Sequence, residues 1–469
     1  MTEVEELRPL VEEESDLFKD INMQRGNMGE NDKTKAGDIE RPGYLPPSPE
    51  KRPEGKGTWQ VSAFHLATTI ATPAAFAPLP YAMSQLGWPG GVVTLLMGTA
   101  VTYYCTLILA SLWDWNEPNR YVRYRDLGRS IYGAKGYWSV LTFQQIASIG
   151  NNITIQIVAG LSMKSIYLTY TKEASPSMTL QHFIIIFGCA ELILSQFPDI
   201  HSLRFLNALC TGCTIGFSVS VVALCSHALR NGDAGHADYN IVGSPSGKMF
   251  GVFSALGTVA FSFGDAMLPE IQATLREPAK TNMYKGASLA YGVIAVSYWT
   301  VAFMGYAVFG NAVNPYLVNS FIGPSWLITL ANIFAVVQVL GCYQIYCRPT
   351  YLYVEQQVMD YNKPPLSIHN CLVRLGVTTV YIVVITVIAA AIPFFGDFVA
   401  LCGAIGFTPL DFIIPVIAFL KVRNPKNPLV KLINVAIVVV YSIVAVLGAI
   451  GAIQFIHTDT ARYKFFANM

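Results

Sequence analysis

Residues 261–275 read FSFGDAMLPEIQATL. The stretch begins as apolar as a lipid-facing helix, then carries Gly264, Asp265, Pro269, Glu270 and Gln272 in quick succession. In water such a mixture is a loop. In a bilayer every span must satisfy its backbone hydrogen bonds internally, so Gly, Asp and Pro at mid-depth are tolerated only where the backbone faces protein or a wet cavity. The rest of the chain decides which solvent applies.

With 53% hydrophobic and 13% charged residues over 469 positions, the composition is that of a membrane protein. Runs of about 20 apolar residues, the length that crosses a hydrocarbon core, predict eleven spans. Their limits are 59–82, 90–113, 137–169, 178–197, 203–229, 248–274, 283–309, 325–350, 371–394, 398–420 and 430–456. They compose one transmembrane domain, residues 58–457. Before it, residues 1–57 lack an apolar core and hold 14 Asp or Glu against 9 Lys or Arg, which excludes a cleavable signal peptide and predicts a disordered acidic tail. Residues 458–469 form a short C-terminal tail.

Orientation follows from the basic residues. The connections after even-numbered spans, with the span ends that border them, hold 16 Lys or Arg, among them those of YVRYRDLGRSIYGAK (121–135) and KVRNPKNPLVK (421–431). The odd connections and the C-terminal tail hold 6. A cytoplasmic N-terminus and an external C-terminus are predicted. The nine cysteines, Cys105 to Cys402, fall in or at the edges of spans, which predicts free thiols and no metal site. The sequon at Asn152 lies at membrane depth and is expected to be unmodified.

The disturbance at 261–275 has one earlier counterpart. Residues 65–83, HLATTIATPAAFAPLPYAM, place Pro73, Pro78 and Pro80 among small residues in span 1. Each proline removes an N–H and clashes with the preceding turn. Spans 1 and 6 are therefore both interrupted, five spans apart. An inverted repeat of five plus five helices produces that spacing, with the first helix of each half broken and the two breaks meeting at the midplane around the substrate.

Four further segments carry a resemblance: MLPEIQATLREP (267–278), LPYAMSQLGW (79–88), YVRYRDLGRSIYG (121–133) and GYAVFG (305–310). With them the chain resembles the amino acid/auxin permease family, most nearly its plant proline/GABA transporter branch. The resemblance implies an all-α LeuT-type fold of eleven helices and secondary active transport, usually proton-coupled, of amino acids or related zwitterions across the plasma membrane. Two departures stand out. Where many members have glycines at the first break this chain has Ala71, Thr72, Pro73, Ala74 and Ala75, and Asp265 stands where related sequences more often have a neutral residue.

Candidate substrate-binding residues are Thr72, Pro73, Ala74 and Ala75 at the first break, Phe261, Phe263, Gly264 and Asp265 at the second, and Asn151 and Asn152 in span 3. The two asparagines are equally readable as glue between helices. Intramembrane acids mark functional sites by default, so Asp265, Glu270, Asp411 and Glu191 are the candidates for proton coupling or gating. Gln338, Thr408 and Pro409 are further polar or breaking positions in apolar runs. His65 reads as an interfacial histidine, and Arg123, Arg125, Asp126 and Arg129 as topology-setting charges with headgroup contacts, a salt-bridged cytoplasmic gate being the alternative.

The predicted function is symport of small neutral amino acids or related zwitterions, the proline and GABA class, with protons and no cofactor. The alternatives are a carrier of cationic amino acids or polyamines, and an amino acid sensor that does not transport. A channel would need a continuous polar lining or charged rings. An enzyme would need a nucleophile or metal constellation, and neither HExxH nor GxSxG is present.

Overall fold

The computed structural model describes residues 55–461 apart from 114, 116–120, 122, 172–176, 197–203, 233–236, 242 and 360–366. All but the last three residues of the expected N-terminal tail, and the C-terminal tail beyond 461, lie outside the described residues. The described chain is helical, with one isolated parallel β-bridge between Gly57 and Leu275.

In chain order the helices are α1 Trp59–Ile70, α2 Pro73–Phe76, α3 Leu79–Leu112, α4 Tyr124–Tyr170, α5 Leu180–Leu194, α6 Arg204–Asn231, α7 Pro245–Ser262 and α8 Leu268–Ala273. They continue with α9 Ala279–Phe309, α10 Ser325–Val358, α11 Ile368–Ala391, α12 Phe395–Cys402, the π-helix Gly403–Ile413, α13 Ile414–Arg423 and α14 Pro428–Thr460. Two compact units can be separated. One contains the described part of 351–379, where Arg374 and Glu355 approach to 3.6 Å; the other contains 54–350 and 380–469. The candidate residues all belong to the second.

Among the described residues eight helices are long and apolar enough to cross a membrane. Eleven spans were expected, and the three that fall short do so for physical reasons. The stretches 59–82 and 248–274 are each divided by a break, and α5 is only 15 residues long.

The prolines act differently from simple kinks. Pro73 and Pro269 each lie in the first turn of the helix that restarts after a break. There the missing N–H would have had no intrahelical acceptor, and the fixed φ suits the helix. At the first break Ala71 (φ −79°, ψ 68°) and Thr72 (φ −100°, ψ 147°) leave helical geometry, and the Thr72 hydroxyl caps the new helix by accepting from the Ala75 N–H at 3.1 Å. Gly87, at φ 69°, bends α3. That conformation suits glycine, and it separates 79–86, the continuation of span 1, from 88–112, which is span 2.

Around the second break the backbones approach closely. A Cβ on Gly257 would strike the Ala400 carbonyl, one on Gly403 the Gly257 carbonyl, and one on Gly264 the Phe407 ring. α7 therefore lies directly against α12 and the π-helix. The wider turn of that π-helix, which carries Pro409, is the kind of local departure that recurs at functional sites.

Candidate functional site

A helix that stops inside a membrane protein leaves its last carbonyls without N–H partners. At the end of α1 the carbonyls of residues 68–71 are each met by a side chain from another helix, and Ile70 O also accepts the Thr72 N–H at 2.8 Å. Gln338 Nε2 donates to Thr68 O at 3.1 Å and the Tyr346 hydroxyl to Thr69 O at 3.2 Å. The Tyr298 hydroxyl donates to Ile70 O at 2.7 Å and the Thr214 hydroxyl to Ala71 O at 2.8 Å. Helices α10, α9 and α6 thus supply the donors that brace the first break.

The second break is held mainly by acidic and amide groups. The Asp265 N–H donates to Asp411 Oδ2 at 2.9 Å, and the Met267 N–H donates to Asp265 Oδ1 at 3.0 Å. Gln144 Nε2 donates to Ala266 O at 3.0 Å and to Glu270 Oε1 at 2.9 Å; the Tyr124 N–H also points at Glu270 Oε1, at 3.3 Å. Asp265 Oδ2 and Glu270 Oε2 are buried without a hydrogen-bond partner.

The breaks meet. Tyr298 bridges them, its hydroxyl lying 2.7 Å from Ser262 O as well as from Ile70 O, the last residues of α7 and α1. Ser262 Oγ donates to Ala75 O at 2.6 Å. Phe76 and Phe263 both pack on the Tyr298 ring, with centroids 5.5 and 5.2 Å away.

Thr72, Pro73, Ala74 and Ala75 are buried at the first break, and Phe261, Phe263, Gly264 and Asp265 at the second. Phe261 packs edge-on against Phe407 with centroids 5.4 Å apart. Asp411 joins this group through the Asp265 N–H, and Glu270 joins it one turn along α8. The two asparagines part company. Asn152 donates to the Tyr381 hydroxyl at 2.9 Å and ties α4 to α11. Asn151 Nδ2 is buried with no partner, on the α4 face that also carries Gln144 and Ser148; the Ser148 hydroxyl donates to Tyr346 O.

Glu191 is fully buried but not at the breaks: Gln344 Nε2 donates to its Oε2 at 2.6 Å. Thr408 bonds back to Gly403 O at 2.7 Å within the π-helix. The basic stretch after span 2 lies at the start of α4, where the Arg125 and Arg129 guanidiniums stand 5.8 and 5.2 Å from the centre of the Tyr137 ring. The nine cysteines are free, and among the described residues no cluster of His, Cys, Asp or Glu could hold a metal ion.

Sequence reasoning missed Tyr298, Tyr346, Thr214 and Gln144. Gln144 had a legible signal, since Gln144 and Gln145 interrupt an apolar run one turn before Ser148. The tyrosines had none, because tyrosine is ordinary in membrane helices.

Residues 55–455 match the family described as transmembrane amino acid transporter protein. GABA transporter 1 of Arabidopsis thaliana is 37% identical over 377 residues, 78% of this chain and 83% of that protein. Lysine histidine transporter-like 6 of Arabidopsis thaliana is 32% identical over 388 residues, 80% and 85% of the two chains. Among solved structures, MhsT in complex with L-phenylalanine superposes with a TM-score of 0.57 at 11% identity, covering 86% of this chain and all of that one. Mhp1, a nucleobase-cation-symport-1 family transporter in a closed conformation, gives 0.52 at 15% identity over 92% and 98%. Those two likenesses show the LeuT-type fold, and the sequence matches show the rest: this chain belongs to the transmembrane amino acid transporter family.

Proposed function

We propose that the protein is a proton-coupled symporter of small amino acids or related zwitterions of the GABA and proline class. It acts in the plasma membrane with its N-terminus in the cytoplasm, and the acidic tail 1–57 lies outside the transport machinery. One observation carries the proton: Asp265 and Asp411 are buried side by side, and the groups that face their carboxyls are backbone N–H groups and the Thr69 hydroxyl rather than cations. An ionised carboxylate is costly to bury unless something neutralises it. A proton on one member of the pair and a substrate ammonium on the other meet that need together. The likeness to GABA transporter 1 supports the substrate class, and the excess of Lys and Arg on the even connections supports the orientation.

Uptake by purified protein in liposomes tests this reading. Labelled amino acids should accumulate when an inward proton gradient is imposed, with or without sodium, and preloaded substrate should exchange. Accumulation that needs sodium and ignores the proton gradient would sink the coupling. Binding without uptake or exchange would indicate a sensor.

A further inference from the structure

The carbonyls at the ends of α1 and α7 are the acceptors most exposed by the two breaks, at the negative ends of two helix dipoles. An ammonium group would seek them. In this chain Thr68, Thr69, Ile70, Ala71 and Ser262 each already face a side-chain donor. Tyr298 serves two of them with a single hydroxyl hydrogen. Its ring is fully buried and packs against Phe76 and Phe263, the first on the helix after one break and the second just past the end of α7.

What stays unspent is different in kind. Asp265 is 5% exposed, with the Thr69 hydroxyl beside its carboxyl and no geometric hydrogen bond at its Oδ2. The backbone N–H beside it, the donor a substrate carboxylate would use, is taken by Asp411. The surroundings of Asp265 therefore offer acceptors and negative charge, and no donor from that N–H. An α-amino acid placing its ammonium on Asp265 would bring its own carboxylate, two bonds away, against two protein carboxyls. An amine several carbons from its carboxylate, or with no carboxylate, avoids this repulsion.

We propose that Tyr298, by occupying the carbonyl ends of both broken helices, leaves Asp265 as the group that binds the substrate ammonium, so that the site selects ω-amino acids and diamines over α-amino acids. This rests on the transport reading and narrows its substrate class. Tyr298 and Asp411 act as positioning residues, the first by closing the carbonyl route and the second by removing the neighbouring N–H.

The test is displacement of labelled 4-aminobutyrate from full-length protein in liposomes by 5-aminovalerate, putrescine, alanine and proline. 5-Aminovalerate and putrescine should displace the label at concentrations at least tenfold below those of alanine and proline. Asp265→Asn should erase that ratio. Tyr298→Phe, which bares the Ser262 carbonyl and leaves Ile70 O with the Thr72 N–H alone, should improve alanine relative to 5-aminovalerate several-fold. Asp411→Asn, which retains an oxygen for the Asp265 N–H but removes a charge, should shift the ratio the same way and serves if Tyr298→Phe does not fold. Alanine or proline displacing as well as 5-aminovalerate in the unmodified protein overturns the inference and leaves amino acid transport standing. So does an unchanged ratio in Asp265→Asn. If folded protein neither binds nor takes up any of these compounds or other amino acids, the transport reading fails and this inference falls with it.

Discussion

Asp411 Oδ2 accepts the backbone N–H of Asp265 at 2.9 Å, across 146 residues of chain. A carboxylate from the π-helix thus stands where the second break would otherwise present a bare donor. The same contact sets two acids side by side in a buried site. Structure and chemistry are joined here, because the group that completes the backbone of one broken helix also supplies the second charge.

Those two roles separate by substitution. Asp411→Ala leaves the Asp265 N–H buried without an acceptor, which costs on the order of 1–3 kcal/mol. Asp411→Asn retains an acceptor oxygen. Thermal unfolding in detergent should show a clear drop for Asp411→Ala and a much smaller one for Asp411→Asn. Equal losses would place the stabilisation in the charge and not in the hydrogen bond.

Coupling gives a different pattern for the same pair. Asp411→Asn cannot exchange a proton at that position, so accumulation driven by an imposed proton gradient should fall by at least tenfold while exchange of preloaded substrate persists. In the unmodified protein, initial uptake should rise as the outside is acidified and fade as the pH difference is removed. If Asp411→Asn still concentrates substrate in response to the gradient, the proton travels elsewhere, with Glu270 the next group to test.

The breaks were legible in the sequence because their residue types are wrong for lipid. Gly264, Asp265 and Pro269 cannot lie in a lipid-facing span, and their counterparts around Pro73 repeat five spans earlier. The holding groups were not legible. Tyr298 and Tyr346 sit in apolar runs, where their hydroxyls are indistinguishable from those of interfacial tyrosines until the fold aims them at Ile70 and Thr69. Adjacent asparagines pose a similar problem. Neighbours on a helix point about 100° apart, so Asn152 reaches Tyr381 while Asn151 lies on another face, and the sequence does not say which face is inward. Glu191 looked like Asp265 by composition, yet Gln344 engages it away from the breaks.

Gln144 connects span 3 to the second break through a single amide that serves both Ala266 O and Glu270 Oε1. Gln144→Leu should strip both acceptors of that donor, lowering the unfolding temperature and cutting maximal uptake at least several-fold. Gln144→Glu places a second acid beside Glu270 and should be worse at neutral than at acidic pH, since protonation restores a donor. Identical pH profiles for Gln144→Glu and the unmodified protein would argue against this arrangement.

Gly264 meets the Phe407 ring so closely that a Cβ would overlap it. Gly264→Ala should therefore reduce transport by at least tenfold through displacement of the π-helix. Phe407→Leu, which trims the obstructing ring, should recover part of the loss in the double variant. Absence of recovery, with both single variants well folded, would mean that glycine is needed for backbone freedom at the break and not for space.

The last relationship lies at the mouth of the first helix. The Gly57 N–H donates to Thr274 O at 2.9 Å, and Gly57 O accepts the Arg276 N–H at 2.9 Å, so the segment leading into α1 pairs with the segment leaving α8. The approach leaves no room for side chains: a Cβ on Gly57 would stand 2.8 Å from Thr274 O, and one on Gly55 2.5 Å from Leu275 O. If this pairing ties together the parts of both broken helices that must move during transport, Gly57→Val should alter turnover more than affinity. Removal of residues 1–45 leaves the paired residues in place and should alter neither. Initial-rate kinetics at matched surface abundance read both variants. An unchanged rate in Gly57→Val would reduce the bridge to a passive contact, and a lost rate in the truncation would bring the acidic tail into the mechanism.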